Sequence, residues 1–304
     1  MNFEKMFTTI DIHVAGEAFR IIIHSPIAFE GGDIKEKQNR LSDYRNERKL
    51  LLNEPRGHRG MNGCIVVPSA IADYGLLFLD HHSEVQFKYS GLVATITALL
   101  ETGNLGKKDN NIYQIETFNG IYSVEALMAN QEVVSVSLEN RISRIVDENA
   151  VHSLIEVDHK RNYLVSRLPK QIPEISLDHL SAIQNWGREA VEKYSAKHTD
   201  LYGVIITEFD FLTENKVKSV TFEADGIILR SPGFDSTFAI YRAFFENGNV
   251  HSIINESIFG SVLTAELIDK QDSCYQMETE GFTTGMHQFI YDQDDPLKEG
   301  FLLK

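Results

Sequence analysis

Chemistry in this sequence would have to come from a few scattered side chains. Two cysteines, Cys64 and Cys274, stand in 304 residues. They are too few for a disulfide framework and lack the spacing of metal ligands. Cys64 sits in the apolar run Gly63-Cys64-Ile65-Val66-Val67, and both thiols read as small buried hydrophobes. Asp80-His81-His82 has the composition of a metal cluster. Neighbours along an extended chain point to opposite faces, so the string reads as solvated loop and no metal site is expected. Asp235 and Ser236 stand before an apolar run, where an oxygen side chain most often caps a helix. Ser90 stands before another and reads equally as a cap or as a hydroxyl available for chemistry. A serine needs a neighbour to take its proton, and no residue adjacent to Ser90 in the sequence is suited to that.

The elements that must position these residues are mostly strands. Runs rich in β-formers cover Thr8 to Val14, Phe19 to His24, Gly63 to Val67, Leu76 to Asp80, Ile112 to Thr117, Val133 to Leu138, Tyr202 to Thr207, Val217 to Phe222 and Val262 to Ile268. Most are bounded by Gly, Asn, Asp or Pro, as strand ends should be. Two helical segments differ from the rest. Leu92 to Leu100 carries no charged side chain, and Phe238 to Phe245 carries only Arg242. A helix apolar nearly all round has to be buried. Each runs into a similar stop, Glu101-Thr102-Gly103-Asn104-Leu105 and Glu246-Asn247-Gly248-Asn249-Val250. Similar strands surround both, which suggests an internal duplication. The expectation is an α/β protein of two β-barrel-like halves, each wrapped around one buried helix. Leu177 to Lys193 reads instead as an amphipathic surface helix, capped by Ser176, with Leu177, Leu180 and Ile183 along one side.

Composition narrows the function classes. Apolar residues make up 42% of the chain and charged residues 24%, the profile of a globular protein. No run approaches the roughly 18 consecutive apolar residues of a membrane span, and the N-terminus lacks an apolar leader, so the cytoplasm is the expected location. The formal net charge of -15 repels phosphate backbones, and no basic stripe with interleaved aromatics offsets it, so no nucleic-acid partner is expected.

Several segments, in order, resemble the proline racemase family. Asp11-Ile12-His13-Val14-Ala15-Gly16-Glu17-Ala18-Phe19-Arg20 is similar to its opening strand and turn. Asn53-Glu54-Pro55-Arg56-Gly57-His58 followed by Met61 is similar to a long, idiosyncratic signature. Arg230-Ser231-Pro232 resembles the lead-in to the second active-site loop. Glu256-Ser257-Ile258-Phe259-Gly260-Ser261 and Asp295-Pro296-Leu297 with Gly300-Phe301 resemble late markers. The resemblance implies two related halves with the substrate in the cleft between, and a C-terminal stretch that returns to complete the first half. The expected domains are 1–122 with 275–304, and 123–274. A small amino-acid-like ligand and a homodimer are the partners it implies, and it implies no cofactor.

Inverting an α-carbon without a cofactor needs a base on one face and an acid on the other. In the family both are cysteines, each at the N-terminus of a buried helix, where thiolate is favoured and backbone N–H groups can hold a carboxylate. By that resemblance Ser90 takes the place of the first cysteine, with Gly91 beside it, Leu92 in place of a histidine and Val93 in place of a glycine. Gly233 takes the place of the second cysteine and has no side chain. Leu229 replaces the aspartate that holds the substrate amine, and Phe234, Asp235 and Ser236 replace a small, neutral loop. His159, Arg161 and Asn162 fall where the family has a glycine pair. His13 and His58 lie inside family-like segments and read as structural or near the site. Two-base racemisation of proline is therefore not expected. The first reading is a relative that binds a small molecule without racemising it. The second is a single-base dehydratase or lyase using Ser90, and the third an isomerase pairing Ser90 with Asp235.

Overall fold

The turn Ala15-Gly16 folds the first long apolar run back on itself and begins a barrel. A computed structural model describes residues 3–29, 31–81, 86–140, 143–158, 161–198, 200–209, 215–245, 250–269 and 274–303. The chain divides into two compact units, Met1–Val136 with Glu280–Lys304, and Ser137–Thr279. His82, His159 and the second helix stop at 246–249 lie outside the described residues.

In the first unit the elements are β1 (Phe3–Val14), β2 (Glu17–His24), α1 (Ile34–Arg40), α2 (Arg45–Leu52), β3 (Met61–Val67), β4 (Tyr74–Leu79), α3 (Tyr89–Glu101), β5 (Ile112–Thr117), β6 (Gly120–Ala129) and, from the end of the chain, β16 (Gly281–Asp292). The strands lie side by side as β16-β1-β2-β3-β4-β5-β6. Their successive pairings are antiparallel, antiparallel, parallel, antiparallel, parallel and antiparallel. Helix α3 packs against β1, β2, β3, β6 and β16, and Tyr89 to Leu100 are buried without exception. That burial is what its uncharged sequence requires. Leu50, Leu51 and Leu52 of α2 pack with Ile22, Ile65, Leu77 and Leu79 in a second core.

β7 (Glu132–Asn140) carries the chain from the first unit into the second. There follow β8 (Arg144–Glu148), β9 (His152–Glu156), β10 (Asn162–Arg167), α4 (Leu180–Ser195), β11 (Leu201–Phe209), β12 (Lys216–Glu223), α5 (Phe234–Phe244), β13 (Ser252–Ser257), β14 (Val262–Asp269) and β15 (Cys274–Thr279). From β8 to β14 the pairings run antiparallel, antiparallel, parallel, antiparallel, parallel, antiparallel, the series of the first unit. Each parallel step needs a crossover. α3 and α5 occupy the second crossover of their units, while α1 with α2, and α4, occupy the first. The duplication expected from the two apolar helices is thus written in the strand pairing. α5 packs against β8, β9, β10 and β14, and α4 covers β11 and β12.

Two local expectations need correcting. The helix after Ser176 opens with a 3-10 turn over Leu177–His179, and only then becomes α4. Ser176 makes no capping bond, its Oγ is buried without a partner, and Leu177 is exposed. The tighter turn rotates Leu177 off the face that Ile183 buries. Among the described residues no helix is long and apolar enough to cross a membrane.

The Glu-Pro-Arg-Gly-His string is a fastener. Arg56 donates to the carbonyls of Leu50 (3.1 Å), Leu297 (2.6 Å) and Lys298 (2.9 Å), and Asn53 Nδ2 donates to Glu299 O at 3.0 Å. Glu54 and Phe301 exchange backbone hydrogen bonds. Behind this, Arg20 grips Asp11 at 2.9 and 2.6 Å and donates to the carbonyls of Leu51 and Arg56. The string therefore ties the C-terminal tail to the first unit.

Candidate active site

Ser90 is the second residue of α3, and the N-cap is Lys88, which makes no side-chain capping bond. Ser90 is free of capping duty because its hydroxyl points elsewhere: Oγ donates to Glu17 Oε2 at 2.6 Å. Glu17 is the first residue of β2, delivered to the helix by the β1–β2 turn. Its other oxygen, Oε1, accepts from Lys88 Nζ at 3.1 Å and from Asn62 Nδ2 at 3.4 Å. Ser90 and Glu17 are 5% and 3% exposed, so the carboxylate and hydroxyl meet with little water between them. A hydrogen bond from a hydroxyl to an ionised carboxylate at this length is a strong one. The acceptor that no sequence neighbour supplies to Ser90 lies 73 residues away in the chain.

The head of α3 adds an electrostatic contribution. The first N–H groups of a helix lack intrahelical partners, and the dipole there favours negative charge on Ser90 Oγ. Gly91 lets the helix come close. A Cβ there would stand 2.8 Å from the Phe78 ring and 3.3 Å from Cys64 Sγ, so the residue is required by packing. Leu92, expected beside a ligand, is wholly enclosed in the core. Cys64 is buried under the helix, and burial pushes its thiol up to about 12; it is no nucleophile at neutral pH. Cys274 is buried as well.

The second unit builds the same place from different residues. Gly233 is the N-cap of α5, at φ 75°, with no side-chain capping bond. A Cβ on Gly233 would meet Leu229 Cδ2 at 2.7 Å and Ser236 Oγ at 2.9 Å, so both conformation and space call for glycine. Leu229 is half-buried and fills the space beside it, and Phe234 is buried. Asp235 and Ser236 lie inside the first turn, which corrects the expectation that one of them caps it. Ser236 Oγ accepts from Thr221 Oγ1 at 2.7 Å. Asp235, the second residue of α5 as Ser90 is of α3, receives both arms of Arg161 at 2.7 and 2.9 Å and the Tyr163 hydroxyl at 3.2 Å. Arg161 also grips Asp158 through two bonds of 2.8 Å.

Burial pushes the Asp235 carboxyl up from its ordinary 3.8, against the pull of Arg161. Burial also raises the Tyr163 phenol, with Asp235 adding to it. Burial works against the Arg161 cation, but Asp235 and Asp158 outweigh it and hold the guanidinium well above its ordinary range. A carboxylate of the protein's own thus occupies the head of α5, where a further anion would be repelled.

Neither Glu17 nor Arg161 was singled out as functional from the sequence. Glu17 opens β2 and Arg161 precedes β10, strands that hold the same place in the two pairing series, and only that repeated topology shows that these positions reach the helix heads. His13 stacks on Phe282 at 5.2 Å, and His58 Nδ1 accepts Gly60 N at 3.1 Å within a turn. Among the described residues no group of three or more His, Cys, Asp or Glu side chains is placed to hold a metal ion.

Comparison with known proteins shows the family of the chain. The family model for proline racemase matches residues 9–160. The chain is 33% identical to trans-3-hydroxy-L-proline dehydratase of Bacillus thuringiensis subsp. konkukian, over 100% of both chains. It is 25% identical to proline racemase of Acetoanaerobium sticklandii, over 99% of both. Among solved structures, a hydroxyproline epimerase from Agrobacterium vitis, with bound trans-4-hydroxy-L-proline, superposes with a TM-score of 0.85 at 21% identity, covering 100% of this chain and 96% of that one. A PhzF-family phenazine biosynthesis protein from Bacillus anthracis superposes at 0.63 and 14% identity, covering 94% and 99%.

Proposed function

The chain belongs to the proline racemase family, and from that premise we propose that it is a single-base dehydratase of a hydroxyproline-like amino acid, with Ser90 as the base and Glu17 as its proton acceptor. The observation that carries this reading is the 2.6 Å bond from Ser90 Oγ to Glu17 Oε2. Racemisation requires two opposed acid–base groups, whereas β-elimination requires one proton abstraction and a leaving group. The bare Gly233 and the engaged Asp235 speak against the first reaction and are neutral toward the second.

The residues divide the work as follows. The substrate α-proton passes to Ser90 Oγ while the serine's own proton moves to Glu17. Lys88 and Asn62 hold the far oxygen of Glu17, so that Oε2 stays turned toward the serine. The helix dipole stabilises the charge that develops on Oγ. The 33% identical dehydratase supports the substrate class, a 3-hydroxyproline whose α-proton and neighbouring hydroxyl leave together. The alternative of a non-catalytic binder rested on the losses at both helix heads, and the bond from Ser90 to Glu17 supports a remaining function at the first.

The test is direct. Purified protein is incubated with trans-3-hydroxy-L-proline, and the cyclic imine product is followed by its reaction with an amine-aldehyde reagent. Wild type is expected to form it, and Ser90→Ala to lose about 10²–10⁴-fold in kcat. Equal rates in the two proteins would remove Ser90 from the mechanism. A thermal shift with ligand but no product would support the binder instead.

A further inference from the structure

The second unit holds a cavity of about 790 Å³ that the chemistry at Ser90 does not use, and we infer that it binds a small zwitterion, an α-amino acid or a dipeptide with apolar side chains. Its lining comes from the second unit alone and includes none of the residues at the head of α5.

Strand register builds the floor. β10, β11, β12 and β13 lie side by side, with Glu208 opposite Lys218 and Lys218 opposite Glu256. Alternate residues of a strand share a face. Ile206 and Val220 pack with Ile183 of α4 in one core. Glu208 stands two residues after Ile206, and Lys218 two before Val220, so both face the same side where that core ends. Leu168 and residues 173–176 form a second wall. It is pinned to the floor where Ile175 N donates to Glu208 Oε2 at 2.7 Å.

The charged lining is balanced in sign, Arg167, Lys216 and Lys218 against Glu174, Glu208 and Glu256. Its members are unequally engaged. Glu256 is held by Lys216 at 2.8 Å, with Lys218 at 3.8 Å. Arg167 lies over the rings of Phe209 and Phe244, at 4.8 and 5.2 Å. Such stacking holds a guanidinium in place and leaves its N–H edge for a planar acceptor. Among the described residues no carboxylate reaches that edge, and Glu208 Oε1 has no partner. Ser176 Oγ is buried without a partner as well. One cation and one carboxylate oxygen therefore stand unanswered in the same cavity.

This balance selects the ligand. A pure anion would be attracted by three cations and repelled by three carboxylates, and a pure cation the reverse. A molecule with both charges is favoured at each end. Its carboxylate goes to Arg167 and its ammonium to Glu208 Oε1, through charge-assisted hydrogen bonds. Arg167 pairs with Thr207, the residue before Glu208, so the two groups stand on adjacent strands about 4.8 Å apart. The ends of an amino acid or a dipeptide span that separation. Leu168, Pro173 and Ile175 offer the side chain an apolar wall.

The experiment is calorimetric titration of the full chain with leucine and with leucyl-leucine. Leucinamide and 4-methylpentanoate, which carry only the cation or only the anion, are titrated beside them. Three variants are compared after circular dichroism has shown them folded. Glu208→Gln keeps an acceptor for Ile175 N, Arg167→Met keeps an apolar chain on the two rings, and Ser90→Ala changes the other unit. Leucine or the dipeptide is expected to bind wild type and Ser90→Ala alike, the tighter of the two identifying the source. Each cavity variant, and each single-charge probe, is expected to lose about 10- to 100-fold in affinity. The single-charge probes act on wild type, so they decide the matter even where a variant fails to fold. Neither heat nor thermal shift with either zwitterion at millimolar concentration would overturn the site. So would binding unchanged in both folded cavity variants, or single-charge probes held as tightly as leucine. Binding lost in Ser90→Ala and kept in the cavity variants would move the ligand to the head of α3 and overturn it too.

Discussion

At the scale of single residues, the two helix heads show the same position solved with opposite chemistry. Ser90 meets an acid, and Asp235 meets a base shared with a second acid. Asp235 and Arg161 answer one another as two halves of a buried pair. Replacing Arg161 with Leu leaves two carboxylates buried without their cation, and is expected to cost about 3–5 kcal/mol in urea unfolding at neutral pH. The sign of the pH dependence follows from Asp235. Its folded pKa is raised above 3.8, so the folded state binds that proton more tightly. Its contribution to stability is fully present below about 3.8 and is lost as pH rises through the raised value. In Asp235→Asn this part of the slope should vanish, as unfolding curves taken from pH 4 to 7 will show.

At the scale of elements, the helix heads are positioned by crossovers. Each buried helix enters between two strands that run parallel, and the strand before the first crossover of the unit brings its first residue, or the one before it, alongside. The glycine cap of α5 leaves no room for a side chain at the head of that helix. Gly233→Cys would have to hold φ near 75° and displace Leu229 and Ser236. It is expected to lose about 1–3 kcal/mol of stability and to form no D-proline from L-proline, measured by chiral chromatography. The buried helices were legible because a long uncharged run admits one interpretation. Helices α1 and α2 were not, since Ile34–Arg40 and Arg45–Leu52 are short and dominated by charge. β8 was missed as well, because Arg144, Asp147 and Glu148 interrupt any apolar alternation.

At the scale of the whole molecule, the most distinctive string in the chain serves assembly and carries no proton. Arg56 holds the tail through carbonyls on both α2 and the segment near Leu297, so removing it breaks two part-buried bonds and one exposed bond at once. Arg56→Ala is expected to destabilise the first unit by about 2–3 kcal/mol and to make residues 293–304 the first site of tryptic cleavage, read by mass spectrometry of a timed digest. The Ser90–Glu17 pair is untouched by that change, so kcat for the proposed dehydration should stay near wild type below the unfolding temperature.

By itself the sequence determined the class of fold, the two enclosed helices, their duplication, and the missing side chain at Gly233. These are local properties: periodicity and charge content report whether a segment is buried, and a glycine reports its missing side chain wherever it stands. Tertiary structure alone decided that Ser90 has Glu17 and that Asp235 has Arg161. A hydroxyl becomes a base only when a proton acceptor lies within hydrogen-bond reach. That distance is set by which strand a barrel brings against a helix head, across 73 residues in one unit and 74 in the other.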